Sequence, residues 1–146
     1  MKICVVGAGY WGNNHIRTLN DLGYLGGVVE TNPEFLNSLN QKYTNIKTFN
    51  NLKDSLKEER FAGFVVATPA ETHYSLAKEI ILNNKHVLVE KPLTLSIEHA
   101  KELVSLANEK SVNLMVGHLL LFHPAIQKIK TLIEDGIIGD LQYIYS

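Results

Sequence analysis

An α/β domain built on a doubly wound, mostly parallel sheet is the fold class this chain predicts, and three observations carry that reading. Short runs rich in Val and Ile alternate with longer stretches of helical period, which is how β-α units look in sequence. Several of the runs are apolar at every position, as strands covered by helices on both faces must be. The length, 146 residues with 45% of them hydrophobic, suits one compact unit with a core of its own.

Strands are expected at 3–6, 25–30, 46–49, 63–67, 86–89 and 113–116. The first, fourth, fifth and sixth are continuously apolar. A helical segment over 13–22 follows the first strand. Leu76, Ala77, Ile80 and Ile81 form the apolar face of another helix, and Ile97, Ala100, Leu103, Val104 and Ala107 that of a third, with Ser96 placed to cap it. A last helix carries Ala125, Ile126, Ile129, Leu132 and Ile133, with Pro124 suited to its first turn and Gly136 to its end. No repeat, low-complexity stretch or linker interrupts this pattern before about residue 136. The expected organisation is one domain over 1–136. The alternating run Leu141-Gln142-Tyr143-Ile144-Tyr145, within 137–146, would then open a second domain that the chain cuts short.

Fourteen Lys and Arg against fifteen Asp and Glu leave a formal net charge of -1, with no field that would gather nucleic acid or an anionic membrane. The single cysteine, Cys4, excludes an intrachain disulfide and a multi-cysteine metal site, so a cytoplasmic home is the default. The first apolar run is too short for a signal sequence or a membrane span. The six histidines show no paired spacing of the usual zinc type, so no metal is implied.

Gly7-Ala8-Gly9-Tyr10-Trp11-Gly12 directly follows the first strand and opens a helical segment, which is the context a diphosphate-binding turn requires. Gly7 suits the tight turn, Gly9 lets backbone approach a diphosphate, and Gly12 lets the helix pack close to the strand. The helix N-terminus then offers free amides and partial positive charge to the phosphates. A glycine turn that needs only to be tight would share this spacing. Glu30 weighs against that alternative, because it ends the second strand eighteen positions after Gly12, where a carboxylate accepts hydrogen bonds from an adenosine ribose. The same carboxylate would repel the 2′-phosphate of NADP, and Thr31-Asn32-Pro33 offers no local cation to offset it, so NAD is the expected cofactor and NADP the less favoured one. A solvated strand end remains the other reading of Glu30.

The fourth strand ends in Ala67-Thr68-Pro69-Ala70-Glu71-Thr72-His73 and the fifth in Val89-Glu90-Lys91-Pro92. In an open parallel sheet, ligands gather outside the carboxyl edge of the strands, so both loops should face the cofactor. Taken in order with the glycine turn, Glu30 and the run Val116-Gly117-His118 to Phe122-His123-Pro124-Ala125, these segments are similar to the N-terminal domain of the Gfo/Idh/MocA oxidoreductases. The resemblance covers essentially the whole chain.

That resemblance implies a Rossmann domain followed, in the family, by an α/β domain with a large antiparallel sheet that this chain lacks. It implies hydride transfer between a nicotinamide and a sugar, sugar-nucleotide or cyclitol carbon. Lys91 becomes the catalytic lysine, also touching substrate, with Pro92 often joined to it by a cis peptide. Gly7, Gly9, Tyr10, Trp11, Gly12 and Glu30 become cofactor contacts; Thr68, Pro69 and His73 would line the nicotinamide and its ribose, and Glu90 would help fix the cofactor. An ammonium is a poor base near neutral pH, and burial beside a positively charged nicotinamide favours the free amine that an alcohol oxidation needs. A lysine in a solvated proline turn is what the tripeptide alone would suggest.

Two departures from the family pattern stand out. Where many relatives read Gly-Tyr-Asn-x-Arg-Phe, this chain has Gly117-His118-Leu119-Leu120-Leu121-Phe122, so Leu121 occupies an arginine position. The Gly-His variant is similar to members acting on nucleotide-linked sugars, and His118 either touches substrate or packs in the core. The family's second-domain histidine is also missing, and His15 and His99, expected as exposed helix residues, are no replacement. The chain should therefore bind cofactor better than it catalyses, and the full protein should be a homo-oligomer. The rival functions are a nucleotide-sensing regulator on the same fold and a reductase of a cyclic imine or biliverdin-like substrate.

Overall fold

Strand and helix alternate along the chain: β1 (Lys2–Val6), α1 (Tyr10–Asp21), β2 (Leu25–Val29), α2 (Pro33–Lys42), β3 (Lys47–Phe49), α3 (Leu52–Leu56), β4 (Phe61–Val66), α4 (Ala70–Leu82), β5 (His86–Val89), α5 (Ile97–Glu109), β6 (Leu114–Val116), a 3₁₀ turn (Leu119–Phe122) and α6 (Pro124–Glu134). The structure is a computed structural model and describes residues 1–145. Every strand runs parallel to its neighbours, in the order β3-β2-β1-β4-β5-β6. The winding direction reverses between β1 and β4, and that reversal opens a crevice at the carboxyl edge.

The register aligns that edge. Val29, Val6, Val66, Val89 and Val116 end five adjacent strands as one paired row. The residue after each strand end stays tied to the sheet: Glu30 N donates to Phe49 O, Gly7 N to Val29 O, Ala67 N to Val6 O, Glu90 N to Val66 O and Gly117 N to Val89 O, all at 2.8 to 2.9 Å. Three residues of the expected site, Gly7, Glu30 and Glu90, are thereby held by the same ladder as the strands.

Alternate side chains of β1 serve two cores. Cys4 and Val6 join Phe64, Val66, Ile80 and Leu103 on the α4 and α5 side, while Val5 meets Ile16, Val28 and Leu39 under α1 and α2. Ser96 caps α5 through its hydroxyl, and Gly136, at φ +68°, follows the end of α6, both as expected.

The structure corrects several expectations. α1 starts at Tyr10, not at residue 13, because Gly9 is its N-cap and the second half of the glycine motif forms the first helical turn. α2 and α3 are helices that apolar periodicity does not reveal. α2 buries only Leu39, and each is begun by an asparagine, Asn32 or Asn51, whose side chain accepts a first-turn amide. β6 is an edge strand with Met115 44% exposed, so its apolar run is not covered on both faces. No strand forms over 141–145, which are exposed. A strand takes its shape from a partner's backbone, and none pairs here among the described residues. Ser146, the last residue of that expected segment, lies outside the described residues.

Candidate functional site

The glycine turn is shaped by what surrounds it. Gly7 takes φ +92°, and a Cβ there would lie 2.8 Å from the Ala67 carbonyl oxygen, so only glycine fits. A Cβ on Gly12 would overlap the Gly7 carbonyl, which is how closely α1 is seated on the turn. At Gly9 a Cβ would meet nothing within 4 Å, leaving open space over the turn. No side chain caps α1 and no acidic residue sits in its first turn, so its leading amides have no side-chain partner. A diphosphate fits these features.

Glu30 closes one side of the turn. Its Oε2 accepts the Ala8 amide at 2.8 Å and its Oε1 accepts the Asn32 amide at 2.9 Å, so the half-buried carboxylate is fixed beside the turn and is more than a solvated strand end. Asn13 ties the other side, its Nδ2 donating to the Ala8 carbonyl at 2.6 Å and the Gly9 carbonyl at 3.1 Å.

Three hollows follow the carboxyl edge. One of about 480 Å³ is bordered by Gly7, Gly9, Glu30, Phe35, Thr68 and Pro69. Gly9, Thr68 and Pro69 also border a second, of about 310 Å³, together with Tyr10, Trp11, His73, Glu90 and Lys91. Trp11, Glu90 and Lys91 in turn border a third, of about 680 Å³, with Pro92, Gly117, His118 and Leu121. Shared walls make them one trough from Glu30 to His118.

Lys91 and Pro92 are exposed on this trough, and the Lys91–Pro92 peptide is cis. Among the described residues Lys91 forms no ion pair. Glu90 pairs with His15 instead, Oε1 to Nε2 at 2.7 Å. The burial foreseen for Lys91 is not supplied by its own surroundings. His118 is exposed on the same hollow.

His73 differs from expectation. Its ring is 1% exposed, with Nδ1 2.7 Å from the Pro92 carbonyl and Nε2 2.9 Å from the Thr68 carbonyl. Both nitrogens face backbone carbonyls, and whichever carries the proton donates to its own, so the ring sits wedged between the β4 and β5 exit loops. His15, set aside as an exposed helix residue, is half-buried and pairs with Glu90, which borders the trough. The signal for it was present: Gly12, His15, Ile16 and Leu19 follow helical spacing on the sheet side of α1. His99 is exposed and stacks on Tyr74, away from the trough.

An uncapped glycine turn at the switch point of a doubly wound parallel sheet defines a dinucleotide-binding α/β domain. Residues 1–118 match the Gfo/Idh/MocA oxidoreductase family, NAD-binding Rossmann fold, and the chain belongs to that family. It is 32% identical over 130 residues to the UDP-N-acetylglucosamine 3-dehydrogenase of Acidithiobacillus ferrooxidans, covering 89% of this chain and 41% of that protein. Among solved structures it resembles the WlbA dehydrogenase of Bordetella pertussis, in complex with NADH and UDP-GlcNAcA, with TM-score 0.87 and 30% identity over 94% of this chain and 43% of that one. GenD2 from gentamicin A biosynthesis, in complex with NAD, matches with TM-score 0.87 and 31% identity over 93% of this chain and 39% of its own. The chain spans from about a quarter to just under half of the curated relatives it matches. Among the described residues no helix is long and apolar enough to cross a membrane.

Proposed function

We propose that this chain is the cofactor-binding part of an NAD-dependent dehydrogenase acting on a hydroxyl-bearing carbon of a sugar, most specifically a nucleotide-linked one. The observation that carries the reading is the single trough joining the glycine turn, Glu30 and Lys91. The bound nicotinamide would supply a hydride acceptor. Gly7, Gly9, Tyr10, Trp11 and Gly12 hold the diphosphate against the leading amides of α1. Glu30 accepts the adenosine ribose hydroxyls and disfavours a 2′-phosphate there. Thr68 and Pro69 wall the middle of the trough, and Glu90 and His73 hold the loops that carry it.

Lys91 exchanges the hydroxyl proton. As hydride leaves the carbon, the free amine takes the alcohol proton and becomes an ammonium; in the reverse direction the ammonium returns it. His118 shares the Lys91 hollow and contacts the sugar. Relatives that handle UDP-linked amino sugars and uronates support that substrate class.

In the intact protein, 1–136 is the dinucleotide domain and the segment from 137 leads into another. The exposed apolar side chains Ile126, Ile129 and Ile133 of α6 support docking of further structure there, and self-association through that structure follows the same logic. A single, buried cysteine fits a cytoplasmic setting. Isothermal titration with NAD and NADP tests the cofactor assignment. NAD should bind more tightly, and tighter binding of NADP would reverse the role given to Glu30.

A further inference from the structure

Glu90 is a buried carboxylate, 6% exposed, whose contacts gather three elements at the carboxyl edge. Oε1 meets His15 Nε2 of α1 at 2.7 Å. Oε2 accepts the backbone amide of Lys91 at 3.3 Å. Its carboxyl group lies flat on Gly117, just after β6, where an added Cβ would come within 3.0 Å of Oε2. Such a group stays buried only when partners satisfy it, and His15, itself one-fifth exposed, is its sole side-chain partner among the described residues.

His15 is therefore carried by the helix whose first turn cradles the diphosphate, and through Glu90 it reaches the backbone of the lysine. We propose that His15 is a positioning residue: by orienting Glu90 it fixes the Lys91 backbone relative to the cofactor-binding helix, and so sets where the amine meets the substrate. This rests on the role of Lys91 proposed above. His15 borders none of the three hollows, so it acts through Glu90 and not by touching either ligand.

The intact enzyme tests this with His15→Ala and His15→Gln, the latter keeping an N–H for Oε1. In His15→Ala, kcat should fall about 10- to 100-fold, the cost of a small misplacement of a reacting group, while the NAD dissociation constant stays within about threefold. Without cofactor, hydrogen exchange at the Lys91 amide should quicken, since that amide bonds to Oε2. His15→Gln should restore both kcat and exchange, and His15→Ala should cost little in a Glu90→Gln background. An unchanged kcat in His15→Ala overturns the proposal. So does an equal loss of kcat and NAD affinity that His15→Gln fails to restore. Should His15→Ala not fold, exchange at Lys91 in His15→Gln decides: protection as in wild type is expected, and loss of it refutes the idea. Lys91→Ala with full turnover would sink the proposed function while leaving the exchange result intact, so the two readings fail separately.

Discussion

The two ends of the trough are built by opposite means. Around the glycine turn nearly every group is secured within its own neighbourhood: Glu30 takes the Ala8 amide, Asn13 takes the Ala8 and Gly9 carbonyls, and Gly7 presses against the β4 exit. At the lysine end Lys91, Pro92, His118 and Leu119 to Phe122 are exposed, and order comes from one buried carboxylate and one buried imidazole. The first end is a finished receptor for a constant ligand part. The second is held from one side by Glu90 and His73 and is open to solvent on the other.

The largest expected effect separates these ends by function. Lys91→Ala should lower kcat of the intact enzyme by about 10²- to 10⁴-fold, the usual worth of a general base, while calorimetric NAD affinity moves less than about threefold. Gly12→Ala should do the reverse. The new methyl collides with the Gly7 carbonyl, so α1 must lift from the turn, costing about 1–3 kcal/mol of stability and weakening NAD binding by more than about tenfold, read by thermal melting and calorimetry.

Gly117→Ala brings the test to the lysine end. Its Cβ would press within 3.0 to 3.2 Å of the Glu90 carboxyl, so about 1–2 kcal/mol should be lost and kcat should suffer before NAD affinity does. Glu30→Gln should narrow the preference for NAD over NADP by about tenfold, since it removes a repulsive charge and weakens ribose hydrogen bonds together.

The smallest effect concerns the core shared by both ends. Burial pushes the Cys4 thiol up to about 12, a shift the Ser55 hydrogen bond and the Arg60 charge only partly offset. The folded state therefore keeps its proton at pH values where the unfolded chain, with an ordinary thiol near 9.0, releases it. Above that value unfolding is favoured, and stability should fall by about 1 kcal/mol between about pH 9 and pH 10. Chemical denaturation should show that slope in the wild type and lose it in Cys4→Ala.

Sequence by itself determined the parallel α/β class, six strands to within two residues at each end, the glycine turn, and the charged residues at two strand ends. Those features are written in periods of two to four residues and in turn chemistry that a few neighbours settle. It did not reveal α2 or α3, whose signal is a capping asparagine and not an apolar stripe, nor the open face of β6. Only the tertiary structure decided that His15 meets Glu90, seventy-five positions away, and that His73 serves the backbone of two loops. Those contacts depend on strand order, which places α1 beside the end of β5. Strand order emerges from packing the whole sheet, a property no local stretch of sequence contains.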